Sequence, residues 1–375
     1  MKVASLFSGG GIGESRLSEI GCESVLSNEI IESRCNLYSQ INSEAEMIFG
    51  DITENRIQKD FIKIARDQNV DVIMATPPCQ GMSVAGNMDK NDPRNHLIKY
   101  AIDIILDLLP KYVLLENVPR QLQTYISYNQ KNILIPDYIK TRLSKKYNFS
   151  QNNIVKAMDY GVPQMRKRNI LLCSRKDQDV VWELPEPEDH IVNLKEAIGH
   201  YPSIDPRVKE GMQETLKLFP DFEQKRLIGE KFSRWHTPPT HSLKHIISMQ
   251  KTPSGKTAFD NEIFFPKRND GKRVSGHYNH YRRLEWNKPS RSLTQNNGVI
   301  SSLACVHPGR IIQDGNEESR IYSDPRCFTI KEIFTIMSTN FDQRISVNTP
   351  HTLIRKVIGE GVPPLLINKI FQNIV

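Results

Sequence analysis

Cys79 stands directly behind Thr76-Pro77-Pro78, where the apolar run Val72-Ile73-Met74-Ala75 stops, and Glu116 closes a second apolar run, Tyr112-Val113-Leu114-Leu115. A thiolate is a strong nucleophile, and a carboxyl group whose pKa is raised by burial can serve beside it as a general acid. Further on, Gln164, Arg166 and Arg168 alternate ahead of the apolar stretch Asn169-Ile170-Leu171-Leu172-Cys173. In a strand these three side chains would share one face, and such a row can hold a carboxylate and a carbonyl-bearing substrate. The chain has six cysteines, with neither a Cys-x-x-Cys pair nor zinc-ligand spacing to histidine, so no metal site is expected. Cys79 differs from the other five in its polar, proline-bounded surroundings; the others fit the small buried hydrophobe that free cysteine usually is.

Residues of this kind need a frame, and the first half of the chain supplies one. Apolar strand-like runs at 3–7, 23–28, 45–49, 70–75 and 112–115 alternate with helical patterns at 14–20, 31–41, 60–67 and 97–109. Strand–helix alternation implies a parallel, doubly wound α/β sheet, with ligands gathered at the carboxyl ends of the strands. Cys79 and Glu116 then project from the ends of the fourth and fifth strands. The first strand runs into Phe7-Ser8-Gly9-Gly10-Gly11, a turn whose glycines let backbone approach a ligand closely. It is not a dinucleotide fingerprint, because counting G-x-G-x-x-G from Gly9 ends on Glu14, and no P-loop lysine follows. A nucleoside cofactor without phosphates fits better: Glu29 ends the second strand, placed for ribose hydroxyls, and Asp51 ends the third, placed for an adenine amino group. Taken singly, such an acid is more often a helix cap or a solvated loop residue; it is their succession at neighbouring strand ends that favours a ligand.

The 375 residues suffice for two domains, and no run approaches the roughly 20 apolar residues that span a bilayer. The start of the chain has no long apolar signal region, which points to the cytoplasm. Net charge is +7, but residues 231–310 carry 14 Lys and Arg against 4 Asp and Glu, leaving the rest of the chain net acidic. A polyanion such as nucleic acid suits this imbalance, as does a merely solvated basic surface. From about Asp177 the alternation stops and prolines punctuate a polar, irregular stretch; helical patterning returns at 329–337 and 364–374. The expected organisation is a cofactor-binding domain over 1–178, completed by about 326–375, and a smaller irregular domain over 179–325.

Together these motifs resemble, in order and over almost the whole chain, the cytosine-5 DNA methyltransferase family of the bacterial or phage restriction-modification kind. Phe7-Ser8-Gly9-Gly10-Gly11 resembles its S-adenosylmethionine loop, Asn28-Glu29-Ile30 and Gly50-Asp51-Ile52 its ribose and adenine contacts, Pro77-Pro78-Cys79-Gln80 its nucleophile motif, Glu116-Asn117-Val118 its glutamate motif, and Gln164-x-Arg166-x-Arg168 its arginine motif. Arg282-Arg283-Leu284 through Pro289-Ser290-Arg291-Ser292-Leu293-Thr294 resembles the segment supporting the recognition domain, and Ile358-Gly359-Glu360-Gly361-Val362-Pro363-Pro364 the returning C-terminal element, with Glu360 where many members have Asn. The resemblance implies a Rossmann-like methyltransferase sheet with a target-recognition domain, S-adenosylmethionine as cofactor, double-stranded DNA as partner and a cognate restriction endonuclease in the same system. It implies catalytic roles for Cys79, Glu116, Arg166 and Arg168. It implies cofactor contacts from Phe7, Gly9, Gly11, Glu29, Ile30, Asp51, Ile52, Pro78 and Leu97. Cys79 would add to C6 of a flipped cytosine, Glu116 would protonate or hydrogen-bond N3, and Arg168 would hold O2. Residues 81–95, rich in Gly, Ser, Asn and Asp, are expected to form a mobile loop that closes on DNA, with Gln80 and Ser83 as contacts. Gln164, Arg234, Lys267, Arg268, Lys272 and Arg273 are further DNA-binding candidates, phosphate contact being the commoner role for such cations. A few relatives of this kind modify tRNA, which leaves an RNA cytosine-5 methyltransferase as the alternative; the large irregular domain favours duplex DNA.

Overall fold

The computed structural model describes residues 1–78, 92–268 and 270–375. They form two compact units: the first comprises 1–160, 167–189 and 361–375, and the second 161–166 and 190–360.

The first unit is built on one sheet of eight strands. In chain order its early elements are β1 (Lys2–Leu6), β2 (Glu23–Glu29), α1 (Glu32–Ile41), β3 (Glu46–Phe49), α2 (Asn55–Asp67), β4 (Val72–Ala75), α3 (Leu97–Leu108) and β5 (Tyr112–Asn117). A hairpin of β6 (Tyr125–Tyr128) and β7 (Lys131–Leu134) precedes α4 (Ile135–Leu143), and β8 (Tyr147–Phe149), β9 (Ile154–Lys156) and β10 (Lys167–Arg175) follow. The sheet order is β3-β2-β1-β4-β5-β10-β8, with β9 also on β10. The first five strands pair in parallel, and β10 runs antiparallel to β5 with Ile170 opposite Glu116. All residues of β4 and β5 are buried, which is why both read as unbroken apolar runs. Ile104 and Ile105 of α3, Phe61 of α2 and Ile139 and Leu143 of α4 complete the core. Strand order reverses between β1 and β4, and in such sheets that crevice is where ligands bind.

The five predicted strands and the helices at 31–41 and 97–109 correspond closely to β1–β5, α1 and α3. The helix predicted at 14–20 is instead a 3-10 helix, Gly13–Ile20, ended by Gly21 at φ 74°. Helix α2 starts at Asn55 rather than near 60: its buried stripe is Ile57, Phe61 and Ala65, and the polar residues of its first turn mask the period.

In the second unit the elements are short: α5 (Leu194–Ile198), β11 (Arg207–Val208), α6 (Met212–Leu218), α7 (Phe222–Phe232), β12 (Thr240–His241), α8 (Leu243–Lys251), β13 (Ile311–Gln313), β14 (Ile321–Tyr322), α9 (Ile330–Ile336) and α10 (His351–Glu360). The last helix, α11 (Pro364–Phe371), belongs to the first unit. The unit boundaries differ from the sequence expectation at both ends. Residues 179–189 stay with the sheet, where Trp182 donates from Nε1 to the Ile370 carbonyl (2.9 Å) and packs edge-on against Tyr112 and Phe371. Residues 326–360 group with the second unit, where Arg326 donates to the Ile204 carbonyl (2.8 Å). Only the stretch from Gly361 returns to the sheet, and Asn368 there bonds the Arg16 carbonyl (3.0 Å). Among the described residues, no helix is long and apolar enough to cross a membrane.

Candidate active site

The glycine turn after β1 is held from several sides. Phe7 has φ 58°, Gly9 φ 59° and Gly11 φ 71°. A Cβ on Gly11 would come within 2.6 Å of the Tyr38 ring, so only glycine fits there. The Gly9 amide donates to Glu29 Oε2 (2.9 Å), while Glu29 Oε1 accepts from the amides of Ile30 (3.0 Å) and Ile31 (2.9 Å). Glu29 thus ties the end of β2 to the glycine turn and is itself fixed in place. Asn28 reaches sideways to the carbonyls of Ile48 (3.0 Å) and Gly50 (3.1 Å), aligning the ends of β2 and β3. There Asp51 accepts from the Thr53 amide through Oδ1 (2.9 Å). Ile30 is 55% exposed at this edge, whereas Ile52 is buried. Two carboxylates at successive strand ends, an exposed apolar side chain and a turn open to close backbone approach suit an uncharged adenosine better than a pyrophosphate.

Beneath the turn lies a buried polar floor that the sequence does not reveal. Glu14 is fully buried beside Ser5, and burial pushes its carboxyl up to about 7. The Tyr38 hydroxyl lies in the same cluster, its pKa raised by burial and by Glu14.

The catalytic candidates divide. At the end of β4, Thr76 donates from its hydroxyl to the Phe7 carbonyl (2.9 Å), joining this strand end to the glycine turn. Asn117 Nδ2 donates to the Pro77 carbonyl (3.0 Å), and its Oδ1 accepts from the Val118 amide (2.8 Å). This residue, next to Glu116, clamps the Pro77-Pro78 segment to β5. A single sequence carries no sign that its side chain reaches back forty residues. Cys79, Gln80 and Ser83 lie outside the described residues, as does most of the predicted loop; the described end of that stretch begins a 3-10 turn in which Asp92 caps the Arg94 amide (2.9 Å). Pro78 and Leu97 are partly exposed. Glu116 lies buried at the end of β5, and Arg168 Nε sits 2.7 Å from its Oε1. Such a charge-assisted contact fixes the carboxyl group's orientation.

Gln164 and Arg166 do not share a strand face with Arg168. Residues 164–166 precede β10 in tight turns, with the Arg166 amide bonded to the Gln164 carbonyl (2.8 Å), and they belong to the second unit. Arg166 is buried and donates to the carbonyls of Leu293 (3.0 Å), Gly359 (3.0 Å) and Glu360 (2.9 Å). Gln164 is also fully buried, donating to Met337 Sδ (3.0 Å) and accepting from the Leu293 amide (3.0 Å). Its amide serves the interior, not an exposed DNA-facing surface. The segment Pro289–Thr294 now has a local purpose: Ser290 brackets this turn, donating to Pro163 (2.9 Å) and accepting from Met165 (2.7 Å).

Of the remaining basic candidates, Arg234 caps the carbonyls of Asp342 (2.8 Å) and Ile345 (2.8 Å) at the surface of the second unit. Lys267, Arg268, Lys272 and Arg273 are exposed on one short ribbon of the same unit.

Comparison with known proteins places these features in a family setting. A family model described as C-5 cytosine-specific DNA methylase matches residues 1–375. The Type II methyltransferase M1.HgaI of Avibacterium volantium is 37% identical over 375 residues, covering 99% of this chain and 97% of its own. The Type II methyltransferase M1.HphI of Haemophilus parahaemolyticus is 32% identical over 204 residues, 53% of this chain and 52% of its own. Among solved structures, a DNA modification methyltransferase encoded within an E. coli prophage matches 100% of this chain and 98% of its own at 21% identity, with a TM-score of 0.66; it bears on the fold alone.

Proposed function

The chain belongs to the C-5 cytosine-specific DNA methylases, and from that premise we propose how its residues divide the transfer of a methyl group to cytosine C5 in a specific duplex sequence. One observation carries the catalytic assignment: the Glu116–Arg168 pair at 2.7 Å, formed between β5 and β10, with β5 next to β4, the strand that leads into Pro77-Pro78.

The turn and strand ends fit S-adenosylmethionine. Glu29 and Asp51 would take ribose and adenine, Ile30, Ile52, Pro78 and Leu97 would cover the base, and Phe7, Gly9 and Gly11 would approach the methionine half. Bound there, the cofactor supplies an electrophilic methyl group for C5. The chain's own work is to make C5 nucleophilic. A base inside a duplex cannot reach such a cleft and must be flipped out, at a cost of a few kcal/mol. The Cys79 thiolate forms a bond to C6, and electron density moves from the C5–C6 double bond into the ring toward N3 and O2. Glu116, oriented by Arg168, donates a proton or hydrogen bond at N3, and Arg168 neutralises charge at O2. Loss of the C5 proton and departure of the Cys79 thiolate then restore the aromatic ring. Arg166, by its carbonyl contacts, acts as a structural support.

The second unit would recognise the target sequence, and the enzyme would act in the cytoplasm to protect sites cut by a partner endonuclease. The test is transfer of labelled methyl to duplex DNA and to tRNA, together with trapping on duplex carrying 5-fluorocytosine. Incorporation into duplex DNA and covalent trapping by the wild type but not by Cys79→Ser are expected. Incorporation into tRNA alone, or equal trapping by both proteins, overturns the assignment.

A further inference from the structure

Four cations of the second unit, Lys267, Arg268, Lys272 and Arg273, sit on one β-ribbon that sorts them by face. Residues 266–268 pair with residues 272–274: the Val274 amide bonds the Pro266 carbonyl (2.9 Å), the Arg268 amide bonds the Lys272 carbonyl (2.8 Å), and Lys267 faces Arg273 as an antiparallel partner. The turn closes through the Gly271 amide and the Arg268 carbonyl (3.1 Å), with Gly271 at φ 78°, a backbone position where glycine is unstrained.

Side chains alternate faces along such a ribbon. Lys267 and Arg273, although also exposed, share the face that packs on Phe265. Lys267 Nζ lies 4.8 Å and Arg273 Cζ 4.2 Å from the Phe265 ring centroid. Arg273 also donates to the carbonyls of Phe259 and Asn261. Arg268 and Lys272 share the opposite face and are exposed. Among the described residues, the Arg268 side chain has a 3.5 Å contact to Ser275 Oγ, and neither it nor the Lys272 ammonium has an ion-pair partner. One pair therefore anchors the ribbon while the other is presented to solvent on a fixed frame.

We propose that this ribbon reads bases in the major groove, with Arg268 and Lys272 as specificity-determining contacts to guanine and Lys267 and Arg273 as positioning residues. The inference rests on the reading that the second unit recognises DNA. A two-stranded ribbon fits the major groove, and guanine alone presents two acceptors there, O6 and N7, matching side chains that only donate. Loose lysines and arginines suffice for phosphates; base reading needs donors held in register, which the Phe265 stack and the Arg273 carbonyl bonds provide.

The test uses the purified full chain, S-adenosylmethionine and a duplex pool randomised around cytosines, read by bisulfite sequencing. The wild type is expected to methylate cytosine within one guanine-containing motif. Arg268→Ala and Lys272→Ala should each lose roughly tenfold or more of the discrimination at one guanine. Arg268→Gln should shift that position toward adenine, since glutamine pairs with adenine N6 and N7. Arg273→Ala should lower the melting temperature and the overall yield with the motif kept. A motif unchanged in Arg268→Ala, Arg268→Gln and Lys272→Ala, with methylation weakened uniformly and a shallower salt dependence, overturns the proposal, because that is the behaviour of phosphate contacts. A wild type that methylates cytosine in every context instead overturns the reading of the second unit as a recognition domain, and the ribbon assignment with it.

Discussion

The two units bury polar side chains for different ends. In the first, the sheet is apolar through β4 and β5, and buried polar groups such as Asn28, Glu29, Glu116 and Asn117 cluster where strands end. In the second, three of the largest fully buried or nearly buried side chains are arginines: Arg166 and Arg283 donate to backbone carbonyls, and Arg326 to the Ile204 and Cys327 carbonyls and to the carboxylates of Glu332 and Asp324. Short helices and strands leave many carbonyls unpaired by regular structure, and a guanidinium with five donors can serve several at once. On the proposed assignment, the half-buried Arg168 paired with Glu116 in the first unit would serve chemistry, and the buried arginines of the second would serve folding. Arg168 and Arg166, two residues apart, fall on opposite sides of that division.

The division breaks if substitutions in both units act alike. The largest expected effect is on catalysis. Glu116→Gln and Arg168→Ala should lower the methylation rate by about 10²–10⁴-fold, the usual contribution of a positioned proton donor, with little change in melting temperature. If either lost rate only in proportion to folded protein, the Glu116–Arg168 pair of the first unit would be structural too.

Next in size is a loss of stability. Arg283 is fully buried and donates to the carbonyls of Thr252 (2.9 Å), His307 (2.9 Å) and Pro308 (3.1 Å), with burial lowering its pKa to about 10. Arg283→Met leaves those acceptors unsatisfied in the interior and should cost on the order of 3 kcal/mol. Chemical denaturation checks it. An unchanged midpoint, or lost methylation with stability intact, would mean that Arg283 does something other than hold the fold.

The same contrast explains what can be read from one sequence. Strands β1–β5 and helices α1 and α3 are legible because apolar residues cluster in short stretches between turns and helix periods are local. Glu29, Asp51 and Glu116 are legible as strand-end residues for that reason alone. Asn117 is not, because its partner Pro77 is distant in sequence; nor is the turn that parts Arg166 from Arg168, because period-two spacing looks the same whether or not the strand has begun. The ribbon at 266–274 is all but invisible, since both of its faces carry cations. Besides its apolar clusters, the second unit relies on side-chain-to-backbone bonds between segments far apart in sequence, which leave no periodic trace.

The smallest predicted effect sets one titrating group from each unit against the other. Glu14, in the first unit, has an ordinary pKa of 4.5 and a folded one near 7 because burial disfavours its charge. Below 4.5 both folded and unfolded chains are protonated; between 4.5 and 7 only the unfolded chain releases the proton, so this group makes stability fall as pH rises, by up to about 1.4 kcal/mol per pH unit. His307, in the second unit, is moved oppositely, from 6.5 down to about 4, again chiefly by burial. Between 4 and 6.5 only the unfolded chain takes up the proton, so His307 makes stability rise with pH over much of the same window. The two slopes oppose each other, so in the wild type each masks part of the other. Glu14→Gln keeps the shape and removes the carboxyl titration, so its melting temperature should climb between pH 4.5 and 6.5 relative to the wild type's. A wild type and variant with parallel profiles would mean that Glu14 titrates alike in both states. The glycine turn would then rest on a solvated acid, and the first unit's floor would not be a buried one.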